Sequence, residues 1–153
     1  MTLRITLAAL HLLALGIGLG SVLARGTALR RELDAERLKR AFHYDAQWGI
    51  AALLWIGTGL WRWMGAVEKP ASYYTGNHIF LTKMALLVVI IVLEIWPAVV
   101  LVRWRRQLAA GDQPSDFASQ SVGARIANIS HTQALLVVIM VFLAVMMARG
   151  LGA

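Results

Sequence analysis

Four continuous apolar runs dominate the chain, at about residues 3–24, 46–64, 79–102 and 127–148. Each is close to the ~20 residues a helix needs to cross ~30 Å of hydrocarbon. The runs are uninterrupted rather than alternating, so they predict helices and not barrel strands; a helix also satisfies its own backbone polar groups inside lipid. The expected fold class is all-α, an integral membrane four-helix bundle forming a single domain over residues 1–153. Composition points the same way: 59% of residues are hydrophobic and 15% charged, where a soluble domain is roughly a quarter charged. The first run follows Arg4 as a signal sequence would. From Ile5 to Ala24 it is longer than a signal core and lacks a clear small-x-small site, so a retained helix is expected.

The basic residues set an orientation. The formal net charge is +7, and the cations cluster at the ends of the apolar runs, which implies contact with anionic headgroups rather than with nucleic acid. Between runs one and two lie Arg25, Arg30, Arg31, Arg37, Lys39 and Arg40; between runs three and four lie Arg103, Arg105, Arg106 and Arg125. The other side carries Arg4, Arg62, Lys69 and Arg149, with Lys83 set apart inside a run. Positive-inside logic then places both termini outside, in a bacterial inner (cytoplasmic) membrane. Trp61, Trp63, Tyr73 and Tyr74 mark the outer boundary, and Phe42, Tyr44, Trp48 and Trp104 the inner one. The first loop is expected to be partly helical, with Arg30–Asp34 and Glu36–Arg40 paired at i,i+4. The stretch from Ala109 to Ser121, rich in Gly, Pro, Asp and Ser, reads as a flexible loop.

Inside a bilayer the polar residues carry the information, because each is costly there. His11 lies about a third of the way into the first run from the outer side. Its imidazole suits haem iron, copper or a proton relay, or a hydrogen bond to a neighbouring helix. Lys83 and Glu94 are eleven residues apart, which puts them on nearly one helical face but roughly 16 Å apart along the axis. The stripe Lys83–Leu87–Ile90–Glu94 is therefore expected to face the bundle interior, with no direct ion pair. Glu94 is a proton carrier or a neutral hydrogen-bond donor, and Pro97 after it frees a backbone carbonyl. His78 stands at the outer start of run three, and His43 and His131 near the inner surface. A His11–His78 pair would suit a haem near one face, and a His43–His131 pair one near the other. Arg62 is a headgroup anchor or a partner for an anionic group such as a propionate. Gly16 and Gly20 form a G-x-x-x-G pair that permits close helix approach. The absence of cysteine removes thiolate metal sites and a cysteine nucleophile. No phosphate-binding glycine loop, zinc-protease motif or serine elbow occurs.

The segments AALHLLALGIGLGSVLARGTAL, ERLKRAFHYDAQWGIAALLWIGTGLW and FLTKMALLVVIIVLEIWPAVVLVRWRR together resemble an uncharacterised bacterial family of predicted four-helix membrane proteins. More distantly the chain is similar to HemJ-type protoporphyrinogen oxidases and, more loosely, to the membrane part of CopD copper-resistance proteins. The HemJ likeness rests on His11, on Gly59-Leu60-Trp61, on Lys83 and on the closing segment 130–138. His131 stands where HemJ proteins have an acidic residue, and Glu94 and Pro97 replace a glycine- and histidine-bearing pattern. The resemblance implies haem b or a porphyrin as cofactor or substrate and an oxidoreductase role. In that role His11 would be the axial metal ligand and Lys83 a propionate partner or proton-transfer group; the residues themselves add His78, His131 and Arg62 as candidate cofactor contacts and Glu94 as a proton carrier. Two other functions fit the same features: a non-enzymatic partner or assembly factor, with a membrane protein or a second copy as partner, and transport of copper or another small solute, for which Met140, Met146 and Met147 offer soft ligands.

Overall fold

The computed structural model describes residues 2–67 and 69–152. Four long helices carry the fold: α1 (Thr2–Leu29), α2 (Ala35–Met64), α4 (His78–Ala110) and α6 (Gln120–Ala148). Two short ones sit in the connections, α3 (Ala71–Thr75) and α5 (Pro114–Phe117). At 1.5 Å per residue the long helices extend roughly 42–50 Å, longer than the ~30 Å of a hydrocarbon core.

Three of them, α1, α4 and α6, are long and apolar enough to cross a membrane. α2 is 30 residues long but falls short on mean hydropathy, because Gln47, Thr58, three glycines and Arg62 dilute its apolar run. Four equivalent runs are thus three strongly apolar helices and one weaker one. Large apolar side chains cover the outside: Leu12 is 65% exposed, Leu53 75% and Phe142 67%. Patches of this size are not stable against water and mark contact with lipid or protein.

α1 packs most extensively against α2 and then α6, and α6 also packs against α4. α2 and α4 meet more sparsely. One core cluster joins Val22, Trp48, Trp55, Ile90 and Val137; a second, towards the opposite end, joins Leu29, Leu38, Leu101, Trp104 and Ile126. Trp55, too deep to be an interface anchor, packs in the first of these, and Trp96 takes the Arg125 guanidinium over its ring at 4.7 Å.

Several local expectations are corrected. α1 does not stop at Ala24 but runs to Leu29, which carries Arg25 into the bundle, where it is fully buried. The first loop is helical in part, as expected, with only residues 30–34 left between α1 and α2. Asp34 caps α2 by accepting from the Arg37 N–H at 2.7 Å, so it is not paired with Arg30, which donates to Asn128 Oδ1 at 2.9 Å. A capping carboxylate satisfies an orphan backbone donor at the helix start, which outweighs an exposed ion pair. Glu36 and Arg40 do pair, at 3.3 Å. The stretch expected to be a flexible loop contains α5, begun by Pro114 and preceded by the left-handed Gly111 (φ 97°) that ends α4. Gly16 and Gly20 face outward, and a methyl group at either would have no neighbour within 4 Å, whereas Gly18 lies against Trp48 and Ala51 of α2. The close approach therefore uses the glycine between the pair.

Candidate functional site

Two polar sites lie inside the bundle. The first is an open cleft of about 370 Å³ between α1, α2, α4 and α6, at the end where α3 sits. Apolar and aromatic walls from Trp55, Phe80 and Leu87 surround His11, Arg62 and Lys83. Among the described lining residues none is acidic.

The tautomer of His11 follows from its partner. Thr58 has one hydroxyl proton, and it goes to the Leu54 carbonyl at 2.6 Å, an intrahelical bond. Thr58 Oγ1 must then accept from His11 Nδ1, 3.0 Å away. Nδ1 is thus engaged by Thr58, and a hydrogen bond at one ring nitrogen is how ligating histidines are oriented. Trp55 flanks the ring, with centroids 6.1 Å apart, and Gly59 makes room for it: a methyl there would lie 3.1 Å from His11 Cε1. Trp63, also in the wall, contributes a buried indole N–H. Its Nε1 is the single buried side-chain polar atom without a partner among the described residues. A buried orphan donor is costly and calls for an acceptor.

The second site sits deeper, at the crossing of all four long helices. Arg25 of α1 donates from Nε to Ser130 Oγ at 3.0 Å and from Nη1 to Asp45 Oδ1 at 2.7 Å. It also grips Glu94 with both terminal nitrogens, at 2.5 and 2.9 Å, and donates from Nη2 to Gln133 Oε1 at 2.9 Å. All five guanidinium N–H groups thereby have acceptors. Gln133 in turn donates to Glu94 Oε2 at 2.8 Å and to the Ile90 carbonyl at 3.2 Å. Arg25 and Gln133 are fully buried. Glu94 keeps one edge on an apolar slot of about 270 Å³ between α2 and α4. That slot shares Trp55, Ile56 and Leu87 with the larger cleft.

The six residues expected to carry chemistry thus separate. His11, Arg62 and Lys83 share the cleft. Glu94 joins the Arg25 network on the same face of α4, with Ile90 buried between them and Lys83 and Leu87 half-buried. His78 is exposed at the start of α4 and does not line the cleft. His131 packs on Gly26 of α1, donating from Nδ1 to the Ala127 carbonyl at 2.6 Å. His43 is exposed, edge-on to Tyr44. Among the described residues no group of three or more His, Asp or Glu could hold a metal ion.

Arg25, Asp45 and Gln133 do not stand out in the sequence as functional residues. Arg25 reads as the first charge of a loop because it ends the apolar run. The available signal is the need of a deep Glu94 for a cation.

Long apolar helices with exposed apolar flanks and polar groups gathered inside define a helical membrane protein. Residues 3–152 match the family described as "Predicted membrane protein (DUF2214)", and the chain belongs to it. No curated protein and no solved structure matches it.

Proposed function

We propose that the chain is a four-span protein of a bacterial inner membrane whose cleft binds an apolar ligand bearing acidic groups, with haem b or a porphyrin as the ligand class. The observation that carries this reading is the donor set of one apolar cleft. It combines a histidine held at Nδ1 by Thr58, the basic residues Lys83 and Arg62, and a Trp63 N–H that has no hydrogen-bond partner among the described residues. Haem b fits these groups: His11 would hold the iron, and Lys83, Arg62 and Trp63 Nε1 would take the propionates. When bound, haem would supply one-electron chemistry. The chain's own part is to orient the imidazole through Thr58, neutralise the ligand's carboxylates and keep water from its apolar body.

The test is the visible spectrum of protein purified in mild detergent from haem-replete cells, oxidised and then reduced with dithionite. A Soret band with sharpened reduced α and β bands is expected, and His11→Ala should abolish or strongly shift them. A flat spectrum after haem supplementation would sink the haem reading and leave the assembly-partner role ahead, since so much apolar surface faces outward.

The fourth span, α2, is supported by its outward face, where Ile50 is 61% exposed, Leu53 75% and Leu54 54%. With Arg25 buried, the inner helix ends and the connections between them still hold nine cations against four outside, Lys83 again set apart. The chain has no cysteine, so single engineered ones report topology directly. Thr75→Cys is expected to react with a membrane-impermeant maleimide from outside the inner membrane, and Glu32→Cys only after lysis. Labelling of both from one side would mean that α2 does not cross.

A further inference from the structure

The network around Arg25 has an unequal charge count. One guanidinium is clamped by two carboxylates, Asp45 and Glu94, which bond the same Nη1 at 2.7 and 2.5 Å. The two acceptor oxygens are therefore no farther apart than those two bonds laid end to end. Arg25 is fully buried, and the Asp45 and Glu94 side chains are 13% and 24% exposed. If both were ionised, the crossing would hold a net single negative charge in a medium where an unbalanced charge costs several kcal/mol. Two carboxylates that share a site do not both ionise freely.

The other groups facing this cluster do not balance it. α1 contributes Arg25 itself. α6 contributes the neutral Ser130 and Gln133, with His131 turned to Gly26 and bonded to the Ala127 carbonyl. From α4, Arg105 lies within electrostatic reach of Asp45, but it is exposed and donates to the Phe42 carbonyl at 2.8 Å. Water and headgroups screen a cation placed there.

We propose that Asp45 and Glu94 hold one proton between them, so that the crossing of the four helices is a proton-binding site. The hydrogen bonds assign the proton. Glu94 accepts three, from both terminal nitrogens of Arg25 and from Gln133, and such bonds favour the ionised form. Asp45 accepts one, at Oδ1. The proton resides on Asp45 as a carboxylic acid O–H, Glu94 remains the carboxylate paired with Arg25, and the cluster is neutral. Uptake forms the O–H bond with a proton from water at the inner surface; release returns it and leaves the single negative charge. Glu94 borders the slot that adjoins the cleft, so the site lies beside the proposed ligand position, yet it stands whether or not that ligand is haem.

The test is infrared difference spectroscopy of the full chain in lipid nanodiscs near neutral pH, exchanged between H₂O and D₂O. A carboxylic acid C=O stretch, above the amide I band and moving to lower frequency in D₂O, is expected. Asp45→Asn removes the protonated group. Glu94→Gln removes the excess charge, so that Asp45 ionises against Arg25. Each single substitution should therefore abolish the whole band. Loss in only one variant would mean an acid kept neutral by burial alone and would overturn the shared-proton assignment. Absence of the band from the unsubstituted protein would also overturn it, whether a bound cation or a protonated His131 supplies the balance, and needs no variant to fold.

Discussion

Arg25→Ala is expected to destabilise the folded bundle by about 3–5 kcal/mol, the usual cost of removing one partner of a buried ion pair. Arg25 is fully buried and supplies five hydrogen bonds to residues on three other helices. Without it Glu94 keeps only Gln133 as a side-chain donor, and Asp45 loses the guanidinium at Oδ1. The cost lies less in the lost bonds than in the Glu94 carboxylate left without its cation in a low-dielectric interior. Arg25→Lys should recover only part of it, since an ammonium has three donors and cannot span the fork between Glu94, Asp45 and Gln133. Unfolding in mixed detergent micelles, followed by tryptophan fluorescence, measures the effect. Adding Glu94→Gln to Arg25→Ala should restore a share of the stability by removing the stranded charge. A loss no larger than that of an exposed Leu12→Ala control would show that the network does not hold the helices together.

The second large effect separates two glycines two residues apart on α1. Gly18→Leu should cost about 1–3 kcal/mol, the range for overpacking a filled contact. A methyl at Gly18 already lies 3.2 Å from Trp48 Cζ3 and 3.3 Å from Ala51 Cβ, and Trp48 is itself 3% exposed and held in the core. Larger side chains must push α2 away from α1, the most extensive helix contact in the fold. Gly16→Leu should stay within about 0.5 kcal/mol, as for substitutions away from any packed contact, because nothing approaches within 4 Å. The change in helix propensity is the same at both sites, so the difference isolates packing. Equal losses at both positions would mean that Gly16 also meets a partner, such as a second copy of the chain.

The helical class, the approximate bundle elements and the cleft residues His11, Arg62 and Lys83 were legible as single-residue facts. Apolar run length is a local property set by bilayer thickness, and a lone polar residue inside such a run stands out. Legibility failed where the decision belonged to partners on other helices. Gly16 and Gly20 satisfy a spacing rule, but spacing cannot say which face of α1 meets α2, and Gly18 does. His78 and His131 were candidate cofactor contacts by residue type, yet one is exposed and the other packs beside Gly26. The boundary at Ala24 failed for a similar reason. A hydropathy run ends at the first charge, whereas the helix continues because Arg25 finds Glu94, Asp45 and Gln133 inside the bundle.

The sequence by itself determined that this chain is helical and apolar outside, because the solvent preference of a residue and the length of a run are written locally. Only the tertiary structure decided that Arg25 is a core residue, that Glu94 is its carboxylate partner and that His11 Nδ1 meets Thr58. These depend on groups 47 to 108 positions away in the chain, and the free energy of a charge or a ring nitrogen is set by whichever group the fold places within hydrogen-bonding reach.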